Sequence, residues 1–120
     1  MFFGGIFGGK GNAWIDSATV RTLVDGATIV WDVSLGINAA VTLGGNRTLS
    51  ISNAVAGHYY TLRVIQDAVG SRTLTLPATS RVVNDGNGIL PLTTAANAID
   101  IATVYYDGTI YWWTYGPDFS

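Results

Sequence analysis

The chain has no cysteine and no glutamate, a single lysine (Lys10) and a single histidine (His58). Without cysteine there is no disulfide framework and no thiolate zinc site, and the redox compartment leaves no mark. One histidine excludes a two-histidine metal site and most zinc geometries. Lysine and glutamate usually cover exposed helices, so their near absence speaks against a helical protein. Charged residues make up 12% of the chain, about half the share of an average soluble domain. That is too little to cover a solitary, well-solvated monomer. A net charge of −2, with five arginines spread singly, argues against nucleic-acid binding, which needs a basic face. No stretch approaches the ~20 apolar residues of a membrane helix. The apolar start, Met1 to Lys10, has no basic segment ahead of it and is interrupted by Gly4, Gly5, Gly8 and Gly9, unlike a signal peptide. Phe2 stands where N-myristoylation needs glycine.

What is present is hydrophobic: 48% of residues, with a mean hydropathy of +0.32. A chain of 120 residues has room for one domain with one core. Residues 1–13 read as an extended Gly/Phe arm and residues 14–120 as a β domain. Strands are predicted at Thr19–Val24, Ala27–Val33, Ile37–Leu43, Thr48–Ser52, Tyr59–Gln66, Arg72–Leu76, Ala98–Tyr106 and Thr109–Tyr115. Between them lie turn signals such as Asp25-Gly26, Gly44-Gly45-Asn46, Val69-Gly70 and Asp107-Gly108. Asp107-Gly108 reads as a tight type I′ hairpin. Alternation turns Ile37, Ala39, Val41 and Leu43 inward, with Leu49 and Ile51, and with Tyr60, Leu62 and Val64. The pattern predicts an all-β fold, an antiparallel, jelly-roll-like β-sandwich of about eight strands with an extended N-terminal arm. No internal repeat is read.

The last hairpin is apolar on both faces. Ile99, Ile101, Thr103 and Tyr105 oppose Ala98, Ala102, Val104 and Tyr106, while Tyr111, Trp113 and Tyr115 oppose Ile110 and Trp112. Either loops cover the second face or another subunit does. Tyr106, Tyr111, Trp112, Trp113 and Tyr115 are the candidate interface, since interfaces enrich aromatics.

Catalytic arrangements find little support. A triad would have to use His58 with a serine such as Ser71, and no nucleophile elbow surrounds any serine. A glycosidase pair would draw on Asp32, Asp67, Asp100 and Asp107. Asp107 is a turn residue, and Asp67 is expected to pair with Arg72 across a Gly-containing reversal. Asp100 interrupts an apolar face, on a solvent or interface side or beside an arginine. The loop Asp85-Gly86-Asn87-Gly88 offers oxygen ligands for calcium but lacks EF-hand spacing, so a plain turn is the simpler reading. Asn46-Arg47-Thr48 fits a glycosylation sequon by chance. No catalytic, cofactor-binding or metal-ligating residue is assigned, and no enzyme activity is expected.

The order of motifs carries a resemblance. Asp25-Gly26-Ala27 leads to Trp31-Asp32, then Gly45-Asn46-Arg47-Thr48-Leu49, Gln66-Asp67, Gly70-Ser71-Arg72-Thr73-Leu74, Asn97-Ala98-Ile99-Asp100 and Tyr105-Tyr106-Asp107-Gly108. Over residues 25 to 115 the series resembles a β module of tailed-phage virion proteins, often placed at the end of tail-fibre or tail-associated chains. The resemblance implies sandwich pieces that assemble, commonly as trimers, in a structural or attachment role without a cofactor. Standing behind a short arm, the module also resembles capsid decoration or cement proteins, which clamp neighbouring subunits. The expectation is therefore a virion protein of the decoration or cement type. Its partners are further copies of itself and major capsid or other virion proteins, with Phe2, Phe3, Ile6 and Phe7 anchoring the arm. The alternative is a tail- or head-fibre module that binds a host-surface receptor or glycan.

Overall fold

The computed structural model describes residues 19–83 and 88–119. Among them the strands are β1 (Arg21–Thr22), β2 (Thr28–Asp32), β3 (Asn38–Leu43), β4 (Arg47–Ser52), β5 (His58–Gln66), β6 (Leu74–Thr75), β7 (Ser80–Val82), β8 (Ile99–Tyr106) and β9 (Tyr111–Gly116). A short 3-10 turn, Val33–Leu35, follows β2. Strands form at each of the eight predicted places, because alternation of apolar and polar residues marks a half-buried strand. In β2, for example, Ile29 and Trp31 are buried while Thr28 and Val30 are exposed. The ninth, β7, was missed.

Six strands form a large sheet in the order β1-β3-β5-β8-β9-β7, and β2-β4-β6 form a small one. The antiparallel, jelly-roll-like arrangement expected from the sequence is not the one found. The small sheet is parallel throughout, and the large sheet is mixed. Only β5-β8 and β8-β9 pair antiparallel, and β7 runs parallel to β9. The reason lies in the turns. Parallel neighbours need a crossover connection. From β1 to β6 each crossover is a visit to the other sheet, while β7 reaches β9 through β8 of the same sheet. The chain passes from β1 to β2, back to β3, across to β4, back to β5 and across to β6, as a β-solenoid winds. Asp25-Gly26 and Gly44-Gly45-Asn46 therefore carry the chain between sheets rather than back along one.

One short motif recurs along the winding. Arg47-Thr48-Leu49-Ser50-Ile51 recurs as Arg72-Thr73-Leu74-Thr75-Leu76. The strands are not aligned as the motifs are, since Thr48 lies beside Thr75 and Arg47 beside Leu74. Thr28, Thr48 and Thr75 then form one exposed row across the small sheet.

Both sheets supply one core. Ile29, Trp31, Leu49 and Leu74 come from the small sheet, and Val41, Leu43, Leu62, Val64, Val104 and Trp113 from the large one. Burial of each large side chain stabilises the fold by roughly 1.5–3 kcal/mol. Among the described residues three polar side chains are buried with them, Gln66, Ser80 and Asp100, and each is engaged. Ser80 Oγ accepts from Trp113 Nε1 (3.0 Å). Gln66 Nε2 donates to Arg72 O (3.0 Å) and Thr93 O (3.1 Å), while its Oε1 accepts from Arg72 N (2.9 Å). Asp100 lies neither on a solvent side nor beside an arginine. Its carboxylate accepts from Thr93 N (2.7 Å), Thr93 Oγ1 (2.8 Å) and Asp118 N (2.8 Å), tying two loops to β8.

Candidate binding face

Where the winding turns between sheets, side chains hold its ends. Asp25 accepts from Arg47 Nε (2.8 Å) and Nη2 (3.0 Å) and from Gly44 N (3.2 Å). Asn46 Oδ1 accepts from Thr73 N (3.0 Å), which joins the next winding. Asp67 pairs with Arg72 Nη2 (2.9 Å) and also accepts from Val69 N and Gly70 N. Arg72 and then the Gly70 amide hold the Asp67 carboxyl down at about 2. Gly70 has φ +79°, and a Cβ there would stand 2.6 Å from Thr94 O, so the reversal needs glycine.

The carboxylates considered for chemistry are thus dispersed. Asp32 accepts from Ser34 N, Ser34 Oγ and Asn53 Nδ2 and caps the 3-10 turn. Asp67 and Asp100 have the roles given above. Asp107 Oδ1 accepts from Thr109 N (2.8 Å) and Ile110 N (2.7 Å). Gly108 adopts φ +102° but Asp107 does not adopt positive φ, so the hairpin is an aspartate-capped loop rather than type I′. His58 is exposed and stacks near Tyr60, with ring centroids 6.4 Å apart. Among the described residues no three histidine, cysteine, aspartate or glutamate side chains gather as metal ligands. Asp85, Gly86 and Asn87 lie outside the described residues, as do the arm residues Phe2, Phe3, Ile6 and Phe7.

The five aromatics of the last hairpin part company. Trp113 is a core residue, 1% exposed, whose Nε1 donates to Ser80 Oγ (3.0 Å). Burial removes it from any exposed interface. Tyr106, Tyr111 and Tyr115 are half-buried against the core, and the Tyr106 and Tyr111 rings stack at 4.4 Å. Burial, and next Tyr106, pushes the Tyr111 hydroxyl above its ordinary pKa. Only Trp112 points away, and it is 46% exposed.

Strand register puts Trp112 in a row across the outer face of the large sheet. Tyr59 of β5 lies beside Tyr105 of β8, Tyr105 beside Trp112 of β9, and Trp112 beside Arg81 of β7. Tyr59 is 64% exposed, and its ring sits 4.8 Å from that of Tyr105. Trp112 Nε1 donates to Asp107 Oδ2 (2.9 Å), which fixes the indole. The Ile110 amide and then this indole hold the Asp107 carboxyl below the usual carboxylate range. The next row is Thr61, Thr103 and Thr114, and the one after it contains Arg63 and Ile101. At the β7 end, Arg81, Val82 and Val83 face Trp112, Trp113 and Thr114 around an open cleft of about 280 Å³. Tyr59, Tyr105 and Arg81 were not singled out from the sequence. For Tyr59 the signal was available, because it has the opposite parity to Tyr60, Leu62 and Val64.

This face offers aromatic surface, hydroxyls and unpaired guanidinium groups, the makings of a binding surface. Residues 25–111 match the model of a family described as "Putative phage tail fibre C-terminal domain". No curated protein and no solved structure matches the chain.

Proposed function

The chain belongs to the phage tail fibre C-terminal domain family and is a virion-associated module, and from that premise we propose that it is a host-attachment end of a tail fibre. The family favours this reading over the capsid decoration or cement role expected from the sequence. The observation that carries it is the row on the outer face of the large sheet in which exposed Tyr59 and Trp112 flank half-buried Tyr105. Rigid aromatics with a polar rim supply large contact area at low ordering cost, as recognition surfaces require. Binding rather than chemistry is proposed, because Asp32, Asp67, Asp100 and Asp107 are each committed to holding loops.

Self-association, trimeric by the resemblance, is proposed for a different side. Val24 and Val30 are 84% and 60% exposed near the start of the winding, and apolar surface of that kind invites a second copy. Light scattering measures the copy number, and a monomer at high concentration refutes this part.

For attachment, the soluble full chain is added to host cells before the phage that carries it. Saturable competition with adsorption is expected, weakened at least tenfold in Tyr59→Ala/Trp112→Ala with unchanged melting. An absence of competition by the parent chain, or equal competition by the variant, refutes the reading.

A further inference from the structure

We infer that the cleft between Arg81 and Trp112 takes an acidic sugar unit, a pyranose carrying a carboxylate or a phosphate. The inference rests on the attachment reading and names the chemistry of the ligand.

Charge comes first. The chain is net negative, at −2, yet the strand residues on the outer face of the large sheet include Arg63 and Arg81 and no acid. The carboxylate that reaches this row from the turn, Asp107, is engaged by Thr109 N, Ile110 N and Trp112 Nε1. Among the described residues the ion pairs are Asp25–Arg47 and Asp67–Arg72. Arg81 has neither an acid nor a strong acceptor: its Nη1 makes one long bond of 3.4 Å to Ser80 O. An exposed guanidinium left unpaired beside a cleft is suited to bidentate capture of a carboxylate or phosphate.

Trp112 is the register partner of Arg81, so indole and guanidinium stand side by side on adjacent strands. The bond to Asp107 holds the indole in place before any ligand arrives, which lowers the ordering cost of binding. A pyranose presents an apolar C–H face to such a ring and hydroxyls at its rim, and Thr114 lines the same cleft. The volume of about 280 Å³ lies at the small end of ligand pockets. It suits one ring rather than a folded peptide. Tyr105 and Tyr59 continue the row inward from Trp112, so further units of a glycan chain meet aromatic faces in succession.

The test is calorimetric titration of the full chain with oligogalacturonate, glucose 6-phosphate and maltohexaose. Binding of one or both acidic probes, at least tenfold tighter than maltohexaose and weakened by salt, is expected. Preference for oligogalacturonate assigns the carboxylate source, and preference for glucose 6-phosphate the phosphate. Arg81→Gln should lose at least tenfold for the acidic probe, Trp112→Ala at least as much, and Arg63→Gln much less, all with unchanged melting. Equal binding of maltohexaose, or undiminished binding by Arg81→Gln, overturns the inference. So does a change of oligomeric state in Trp112→Ala, which would make the row a contact between copies. If the chain still competes for host cells but ignores both acidic probes, this inference fails and the attachment reading stands. If it does not compete, the attachment reading fails.

Discussion

From Arg21 to Thr75 the chain winds between two sheets, and every strand pairing within that stretch is parallel. From Ile99 to Gly116 it folds back on itself as an antiparallel hairpin. The wound region cannot close its turns with a hairpin's backbone bonds, so side chains close them: Asp25 with Arg47, Asn46 with Thr73, Asp67 with Arg72, Gln66 with Arg72 and Thr93. The hairpin turn has two such devices: the Tyr106 hydroxyl, which donates to Gly108 O (2.9 Å), and Asp107, which also fixes an exposed indole. The two regions divide the labour. Polar side chains in the winding serve the scaffold, and the hairpin has outward positions to spare for recognition.

The sharpest way to break that division is to compare neighbours on the hairpin itself. Trp113→Ala empties a core position and strands Ser80 Oγ, so it should cost about 3–5 kcal/mol in urea unfolding. Trp112→Ala should stay within about 1 kcal/mol while weakening host-cell competition. Equal losses of stability would mean that the outward face is structural. Within the winding, Gln66→Ala leaves Arg72 N, Arg72 O and Thr93 O without their partner. Each buried unpaired group costs about 1–3 kcal/mol. A loss of about 3 kcal/mol, read in the same unfolding experiment with no effect on competition, is expected.

The sequence showed the strands well and their directions badly. Alternation reports which face of a strand is buried, as at Ala39, Val41 and Leu43, but is silent on whether the neighbour runs the same way. Arg-Thr-Leu recurs at Arg47 and Arg72, but Arg47 lies beside Leu74 rather than Arg72, so the recurrence does not mark the winding. Strand β7 turns Ser80 and Val82 inward, and with one apolar residue at its inward positions no apolar period shows. Parity already set Trp112 apart from Trp113, yet only the core decides which side is outward. Asp100 could not be read at all. Its donors Thr93 and Asp118 lie on either side of it in sequence and meet it only through the fold. Gln66 was closer to legible, since it continues the inward parity of Tyr60, Leu62 and Val64.

The smallest effect tests the clamps by pH. Asp67 titrates at about 2 in the folded chain against an ordinary 3.8, chiefly through Arg72. Asp25, Asp32 and Asp107 are lowered as well, by Arg47, Asn53 and the Ile110 amide respectively. A lowered folded pKa means that the unfolded chain binds more protons across the window between the two values. The stabilisation is therefore complete above the unfolded pKa and is lost as pH falls from about 4 toward 2. The melting temperature of the parent chain should drop through that window. Asp67→Asn should melt lower than the parent at neutral pH, fall less steeply on acidification, and approach the parent near pH 2. Asp107→Asn, in the hairpin, should flatten the curve less, because backbone pairing of β8 with β9 holds that turn from both sides. A slope unchanged by Asp67→Asn, or flattened equally by both, would show that the winding does not depend on its side-chain clamps more than the hairpin does.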